Sequence, residues 1–186
     1  MNAFQEIFSR YDTDKVQAGY HKTYEKCFGS IRNEIKLLFE IGVNRGGSVR
    51  AFHEYFPNAI VVGIDINPAC YFEHGKIKIE IGDATNIEFI DKKILAKYGC
   101  PDIVIDDGSH MSCDIRNSFN LLYSFTRDAY VIEDLGTQDK NFANGLYVPD
   151  GIPATDLIHH VVENAIFKKN YCKEIFVADS IFVVMK

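Results

Sequence analysis

The 186-residue sequence predicts a doubly wound α/β fold, in which a mostly parallel sheet carries helices on both faces. Short apolar runs alternate with longer amphipathic stretches, a pattern typical of βαβ units. The apolar runs are nearly unbroken and rich in β-branched residues, as expected of strands buried on both faces. Near the C-terminus two such runs are separated only by Asp179 and Ser180, which predicts an antiparallel hairpin at the sheet edge.

These patterns predict seven strands and four main helices in a single domain, residues 1–186. The strands are Lys36–Ile41, Ile60–Ile64, Ile77–Ile81, Ile103–Ile105, Ala129–Ile132, Lys173–Ala178 and Ile181–Met185. The helices are Ser48–Tyr55, Ile87–Lys97, Met111–Ser124 and Asp156–Lys169. We expect residues 36–186 to form the core and residues 1–35 to form a short helical cap over the site. The aromatic residues of that cap suit core packing, a wall of the site or a subunit interface.

Composition narrows the class of protein. The net charge is −6 and no basic run occurs, which argues against a nucleic-acid partner. No stretch reaches the roughly 20 apolar residues of a membrane span, and the N-terminus lacks the order of a signal peptide. The five cysteines are scattered without C-x-x-C spacing, which indicates free thiols and a cytoplasmic location.

Residues that follow the first three strands predict a nucleoside ligand, because doubly wound sheets bind ligands at the carboxyl ends of their strands. The first strand leads into a turn with glycines at 42, 46 and 47, a spacing unlike the dinucleotide and Walker fingerprints. Glu40 there suits an amino group or a sulfonium. Asp65 is positioned to accept hydrogen bonds from ribose hydroxyls, and Asp83 to contact the edge of an adenine ring. Either residue also suits an ordinary turn. The candidate contacts for an adenosyl ligand are Glu40, Gly42, Asn44, Gly46, Ser48, Asp65, Ile66, Gly82, Asp83, Ala84 and Asp106.

Four carboxylates follow the fourth and fifth strands, namely Asp106, Asp107, Glu133 and Asp134. Two unit charges about 4 Å apart repel by about 4 kcal/mol at an effective dielectric constant of 20. Either some of their pKa values rise, or a cation lies among them. A divalent ion such as magnesium or calcium satisfies the second condition, whereas the simpler alternative is that one or two acids cap helices or face solvent.

His110 follows Asp107 by three residues and is the histidine nearest these acids in the sequence. An imidazole there can remove a proton from a substrate hydroxyl near neutral pH. The alternative is a structural hydrogen bond at a helix N-terminus. The adjacent pair His159 and His160 lies in a helical stretch and is interpreted as incidental.

Five motifs resemble the metal-dependent sugar O-methyltransferases of the mycinamicin and macrocin type, together with cephalosporin-hydroxylase-like proteins. They are Glu-Ile-Gly-Val-x-x-Gly-Gly-Ser (40–48), Gly-Ile-Asp-Ile (63–66), Gly-Asp (82–83), Ile-Asp-Asp-Gly-Ser-His (105–110) and Ile-Glu-Asp-Leu (132–135). The N-terminal pattern of Thr13, Asp14, Lys15, His21 and Tyr24 resembles the lead-in segment of that family.

The resemblance implies the Rossmann-like sheet of class I methyltransferases and S-adenosylmethionine as cofactor. It implies Mg²⁺ or another divalent cation held by Asp107, Glu133 and Asp134, and His110 as general base. It also implies Glu40, Asp65 and Asp83 as cofactor contacts. Residues 137–172, which should shape the acceptor pocket, match no motif of the family.

The predicted function is therefore metal-assisted methyl transfer from S-adenosylmethionine to a hydroxyl of a sugar or other small polyol. The expected partner is a small acceptor such as a glycosylated metabolite, without nucleic acid or membrane, and a homo-oligomer stays open. One alternative is a metal-independent methyltransferase acting on nitrogen or a carboxylate. Others are a non-catalytic adenosyl-binding subunit and, more distantly, a nicotinamide-dependent oxidoreductase.

Overall fold

One sheet of eight strands organises the computed structural model, which describes residues 2–139, 141–168 and 171–186. The strands are β1 (Leu37–Ile41), β2 (Ile60–Asp65), β3 (Glu73–His74), β4 (Ile77–Ile81), β5 (Ile103–Asp106), β6 (Ala129–Ile132), β7 (Glu174–Ala178) and β8 (Ile181–Met185). Their order across the sheet is β3-β4-β2-β1-β5-β6-β8-β7. The five central strands are parallel, and β3, β8 and β7 are antiparallel to their neighbours.

This topology confirms the predicted doubly wound sheet and its terminal hairpin. The short strand β3 adds an eighth strand to the seven predicted. It forms because Gly75, at φ 56°, turns the chain back so that Glu73 and His74 pair with Lys78 and Ile77. Only two residues long, it carries too little sequence pattern to be recognised in advance.

The helices are α1 (Ala3–Phe8), α2 (His21–Phe28), α3 (Gly47–Tyr55), α4 (Ile87–Phe89), α5 (Ala96–Tyr98), α6 (Ser112–Leu122) and α7 (Thr155–Phe167). A π-helical segment, Ile90–Leu95, joins α4 to α5, so the helix predicted at Ile87–Lys97 is one helical run with mixed hydrogen bonding. The predicted end of the last helix, Lys169, lies outside the described residues. Within the described ranges, no helix has both the length and the apolarity needed to cross a lipid bilayer.

Side chains of the N-terminal segment pack as core on one face of the sheet. Phe4 stacks on Phe8 and Tyr24, and its ring meets Phe52 and Tyr55 of α3 edge-on. Five of the six aromatic residues predicted to belong to the cap are buried: Phe4, Phe8, Tyr20, Tyr24 and Phe28. Burying each such side chain stabilises the fold by about 1.5–3 kcal/mol, so this segment is firmly attached to the sheet.

Between α1 and α2 the chain crosses the N-terminus of α3 at Gly47. A Cβ atom at Gly47 would lie 1.9 Å from the carbonyl oxygen of Asp12. Gly47 is the first residue of α3, where any residue can adopt the backbone conformation. A glycine is needed here because a side chain would overlap the Asp12 backbone. The bare backbone therefore lets the loop that begins at Asp12 lie against the carboxyl edge of the sheet.

We expect Gly47→Ala to lower the free energy of unfolding by about 1–3 kcal/mol, because its methyl group would overlap the Asp12 backbone and displace the loop. Urea unfolding of the two proteins measures the difference. A helical glycine with open space around it would instead gain about 1 kcal/mol from alanine. Stabilisation of the variant would therefore contradict the close contact.

Candidate active site

A cavity of about 910 Å³ opens along the carboxyl ends of β1, β2, β4 and β5. Most of the predicted contacts line it: Gly42, Asn44, Ser48, Asp65, Ile66, Gly82, Asp83, Ala84, Asp106, Asp107, His110 and Asp134. Thr13, Asp14 and Gln17 of the N-terminal loop also line the cavity, so this loop lies over the predicted cofactor site. Three predicted residues are not part of the wall, namely Glu40, Gly46 and Glu133.

Asp65 braces the glycine turn that follows β1. Its Oδ2 accepts hydrogen bonds from the backbone N–H groups of Val43 (2.8 Å) and Asn44 (3.2 Å), and its Oδ1 accepts one from Asn67 (2.8 Å). Burial alone would raise the pKa of Asp65, but these hydrogen bonds outweigh it and lower the pKa. Asp65 is thus ionised and stabilises the turn within the cavity wall, and its contact with a ribose stays a prediction.

Close packing of backbone shapes the same turn at Gly42. This residue has φ 90°, and a Cβ atom there would lie 2.1 Å from the carbonyl oxygen of Asp107. Only glycine satisfies both conditions. The turn after β1 and the end of β5 are consequently held in contact, which places the predicted cofactor and metal residues side by side.

Asp83 and Asp106 are both engaged by neighbouring side chains. Asp83 Oδ1 accepts hydrogen bonds from the backbone N–H (2.8 Å) and the hydroxyl (2.7 Å) of Thr85, as in an ordinary turn. Asp106 accepts a hydrogen bond from the Ser118 hydroxyl. Burial raises the pKa of Asp106 to about 6 even though the Ser118 hydrogen bond opposes the rise.

Glu40 is not part of the cavity wall, and its contact with the cofactor stays a prediction. Side chains alternate along β1, so Ile41 lines the cavity and Glu40 points to the face covered by the N-terminal helices. Glu40 is fully buried, and neither of its oxygens accepts a hydrogen bond from any described residue. Burial raises the pKa of Glu40 to about 7, and the nearby Lys15 ammonium partly offsets this rise.

Gly46 is likewise not part of the cavity wall, and it has a structural role in the turn before α3. It precedes α3 in the left-handed region at φ 75°. A Cβ atom there would lie 2.5 Å from the ring of Phe72. The turn conformation and this ring favour a glycine at this position, and its contact with a ligand stays a prediction.

The acidic cluster contains a cation supplied by the protein itself. Lys15, whose side chain is 1% exposed, donates hydrogen bonds to Asp107 Oδ2 (2.7 Å) and to Glu133. Its Nζ also lies 3.7 Å from Glu40 Oε1. Burial alone would lower the pKa of Lys15, but Glu133, Asp107 and Glu40 raise it well above its ordinary value, so the group is an ammonium ion. From the sequence we predicted either raised pKa values or a cation among these acids, with a divalent ion as the candidate, and this lysine was not identified.

Two tyrosines of the same N-terminal segment complete the hydrogen bonding of these acids. The Tyr24 hydroxyl donates to Glu133. The Tyr20 hydroxyl donates to Asp134 Oδ1 at 2.5 Å. Glu133 is thereby enclosed between Lys15 and Tyr24, which explains why this predicted metal ligand is not part of the cavity wall.

Asp107, His110 and Asp134 form the face of the cluster that lines the cavity. One ligand atom from each residue lies within 4.8 Å of the others, an arrangement not repeated among the described histidines, cysteines and acids. His110 Nε2 lies 3.5 Å from Asp134 Oδ2. Two carboxylates with room for water suit Mg²⁺, which commonly binds proteins through one or two carboxylates. The residues therefore fit a divalent cation.

The turn that carries His110 is held in a strained conformation. His110 has φ 58°, a region that L-residues rarely occupy. The Gln138 amide donates to the His110 carbonyl oxygen (2.8 Å) and accepts from the Ala154 N–H (2.9 Å). Strain of this kind persists where surrounding contacts enforce it, and it is concentrated at functional sites.

Comparison with known proteins identifies relatives of the chain, although no protein-family model matches it. It is 37% identical over 143 residues to mycinamicin VI 2''-O-methyltransferase of Micromonospora griseorubida. It is 36% identical over 143 residues to demethylmacrocin O-methyltransferase of Streptomyces fradiae. The chain is homologous to the macrolide sugar O-methyltransferases. Each alignment covers 71% of this chain but 36% of the relative, so the chain spans little more than a third of these enzymes.

Solved structures of a macrolide sugar O-methyltransferase share the fold. The MycE methyltransferase of the mycinamycin pathway, in complex with Mg and SAH, matches 100% of this chain and 54% of its own length, with TM-score 0.85 and 28% identity. Its complex with Mg, SAH and mycinamycin VI matches 98% of this chain and 54% of its own length, with TM-score 0.85 and 30% identity. The resemblance inferred from the motifs and the class I methyltransferase fold are both confirmed.

The raised pKa of Glu40 predicts a pH effect on stability. Its pKa is about 7 in the folded protein against an ordinary value of 4.5, so the unfolded chain loses this proton first. The free energy of unfolding therefore falls as the pH rises through this range, by up to about 3 kcal/mol. In Glu40→Gln this loss is absent, so the variant should gain stability relative to the native protein between pH 5 and pH 8.

Urea unfolding across that range measures the difference, and both proteins retain Asp106 and Glu133, whose pKa values are also raised by burial. Glu88→Gln, which alters an exposed carboxylate, serves as the control. A difference between the Glu40 variant and the native protein that stays constant with pH would contradict the assignment.

Proposed function

We propose that the chain transfers a methyl group from S-adenosylmethionine to a hydroxyl of a sugar or other small polyol, assisted by a divalent cation. The observation that carries this proposal is a single cavity in which the predicted adenosyl contacts adjoin Asp107, His110 and Asp134. Homology supports it, since the relatives bear the names of sugar O-methyltransferases and MycE was solved with Mg and SAH.

The adenosyl half of the cavity binds and orients the methyl donor. Bare backbone at Gly42 allows a ligand to approach closely, while Asp65 and Asp83 present carboxylates at adjacent strand ends. Carboxylate oxygens have further lone pairs beyond those used in the turns. Because the methyl donor is already activated, orientation of the two reactants can supply much of the rate.

Asp107 and Asp134 would hold the cation, since both line the cavity. A bound divalent ion lowers the pKa of an acceptor hydroxyl and orients its oxygen. Glu133 as a further ligand remains a prediction, because its oxygens accept hydrogen bonds from Lys15 and Tyr24.

His110 is close enough to be either a ligand or a base, and Mg²⁺ prefers oxygen, so we assign the imidazole to proton removal. Asp134 Oδ2, 3.5 Å from His110 Nε2, would stabilise the imidazolium that forms.

The acceptor is proposed to be a small glycosylated molecule bound beside His110. Tyr147 lies next to the His110 ring, with 6.4 Å between the two ring centroids, and exposed Phe142 packs against Tyr147. This aromatic surface suits the apolar face of a sugar or of its carrier.

Within the described structure all five cysteines are free, which supports the proposed cytoplasmic location.

A metal-independent methyltransferase is the second candidate, and Lys15 is the observation that favours it. The ammonium ion already neutralises part of the acidic cluster. In that case the carboxylates facing the cavity would bind a cationic acceptor directly, and transfer would be unaffected by a chelator.

Thermal unfolding with S-adenosylhomocysteine, with Mg²⁺ or with a chelator, tests both halves of the site. Ligand at about 100 times its Kd should add about 2.7 kcal/mol of stability, which is several degrees in Tm. Mg²⁺ should add a further shift, and Asp134→Asn should lose that part while it retains the response to the adenosyl ligand. Absence of any shift with saturating ligand would contradict the cofactor assignment, and absence of the Mg²⁺ shift would favour the metal-independent candidate.

His110→Ala should lower kcat by about 10²- to 10⁴-fold, the contribution of a general base, while the Kd for S-adenosylhomocysteine changes less than about threefold. Transfer of labelled methyl to mycinamicin VI, the acceptor named for a relative, provides an assay. His159→Ala, which alters an exposed histidine on α7, is the matched control. Near-normal kcat in the His110 variant would remove this residue from the role of base.

A further inference from the structure

The two edges of the sheet differ in how they are protected from pairing with a further strand. One edge is β3, which is only two residues long and consists of exposed Glu73 and His74. The other edge is β7, whose five residues pair with β8 on one side only among the described strands. Very short strands, proline and charged side chains commonly prevent edge-to-edge association. β7 has no proline or glycine, and its central residues are Ile175, Phe176 and Val177, so this edge is open to pairing.

Exposed apolar side chains accompany this open edge. Val177 is 63% exposed, and it points to the same face of the sheet as Ile175 because side chains alternate along a strand. Ile175 and Val162 of α7 pack against one core, so α7 covers that face. One helical turn after Val162, Ile166 is exposed, and the adjacent Phe167 is 82% exposed. Apolar residues exposed on both an edge strand and the helix that covers it indicate an interaction surface.

β7 and its flanking residues are complementary to themselves when two copies run antiparallel. With Phe176 opposite its own equivalent, Ile175 lies opposite Val177 twice, and such apolar cross-strand pairs stabilise a sheet. Lys173 and Asp179 are exposed and stand three residues before and three residues after Phe176. In the same register each Lys173 therefore lies opposite Asp179 of the second copy. Centring the pair on Ile175 or on Val177 would instead place one of these charged residues opposite an apolar one.

We propose that β7 is a dimerisation edge, at which two copies of this chain pair through antiparallel β7 strands with Phe176 at the two-fold axis. Identical strands paired in this way use the same edge of both molecules, so the association is closed by symmetry. The short, polar edge at β3 does not support further growth of the sheet. β6 and β8 separate β7 from the strands along which the cavity opens. The inference is therefore independent of the proposed function.

Sedimentation velocity over a concentration series that spans the micromolar range measures the association. A paired strand with a few helix contacts is a small interface, so we expect a Kd in that range. The weight-average mass should rise towards twice the mass of one chain as the concentration increases. A mass equal to that of one chain throughout the series would overturn the proposal.

Val177→Lys should raise the dimer Kd at least about tenfold, because it places a charge opposite Ile175 of the second copy. Ile87→Lys alters a side chain of similar exposure, 65%, on α4, and should leave the Kd within about twofold. Both positions are exposed, so both variants should retain the native Tm and the native response to S-adenosylhomocysteine. Dimers that persist unchanged in Val177→Lys would overturn the proposal. Dimers that bind no S-adenosylhomocysteine would contradict the proposed function and leave this inference standing.

A double-mutant cycle tests the register. Asp179 has φ 49°, and asparagine tolerates this conformation, so Asp179→Asn removes the charge without straining the turn. Asp179→Asn and Lys173→Gln should each raise the dimer Kd about threefold to tenfold, because each removes two ion pairs from the symmetric dimer. The double variant should add little to either, since the two charges act on each other. Fully additive effects would overturn this register.

Hydrogen exchange followed by mass spectrometry locates the interface in the native protein. The amides of residues 173–179 should exchange more slowly as the protein concentration rises through the dimer Kd, because unpaired N–H groups of the edge become hydrogen-bonded. Residues 73–78 at the opposite edge should exchange at the same rate at every concentration. A dimer in which exchange at residues 173–179 does not depend on concentration would overturn the assignment of β7 as the interface.

Discussion

The buried ammonium of Lys15 is the interaction on which the arrangement of the site depends. Its partners come from three neighbouring strands, since Glu40 belongs to β1, Asp107 follows β5 and Glu133 follows β6. Removing one member of a buried ion pair typically costs 3–5 kcal/mol, because the remaining charge stays buried without compensation. The lysine and the acids therefore require each other. The loop that carries Lys15 is held over the cavity by the same contacts that neutralise the acids.

Strand alternation explains why adjacent acids have different environments. Successive residues of a strand point to opposite faces, and this alternation continues just beyond the strand ends. Asp106 consequently meets Ser118 of α6 on one face, while Asp107 meets Lys15 on the other. Glu133 likewise points towards Lys15, whereas its neighbour Asp134 lines the cavity. Glu133 thus contacts the lysine alone, Asp134 lines the cavity without contacting the lysine, and Asp107 does both.

The sequence predicted the fold and most of the cavity wall because those features depend on local patterns. Apolar runs mark strands, and residues just after parallel strands meet at one edge of the sheet. The separation of the acids into two faces required the strand register, which pairs Glu40 with Ile105 and Ile105 with Val131. Counting two residues on from Ile105 and Val131 places Asp107 and Glu133 on the face of Glu40. Lys15 lies 92 and 118 residues from its two hydrogen-bonded partners, so no local pattern connects them. The sequence feature that indicated a cation was the unbalanced negative charge of the acids that follow β5 and β6.

The turn that carries His110 also anchors the segment beside the proposed acceptor site, which contains Gln138, Tyr147 and Asp150. Gln138 binds the His110 carbonyl oxygen, and the Ser112 N–H donates to the carbonyl oxygen of Tyr147 at 2.8 Å. Arg116 of α6 holds Asp150 of that segment. The acceptor side is therefore tied to the proposed base, as the cofactor side is tied to Lys15. A change of acceptor that moves this segment would also move the imidazole, so the structure couples the choice of acceptor to proton removal through contacts of the backbone.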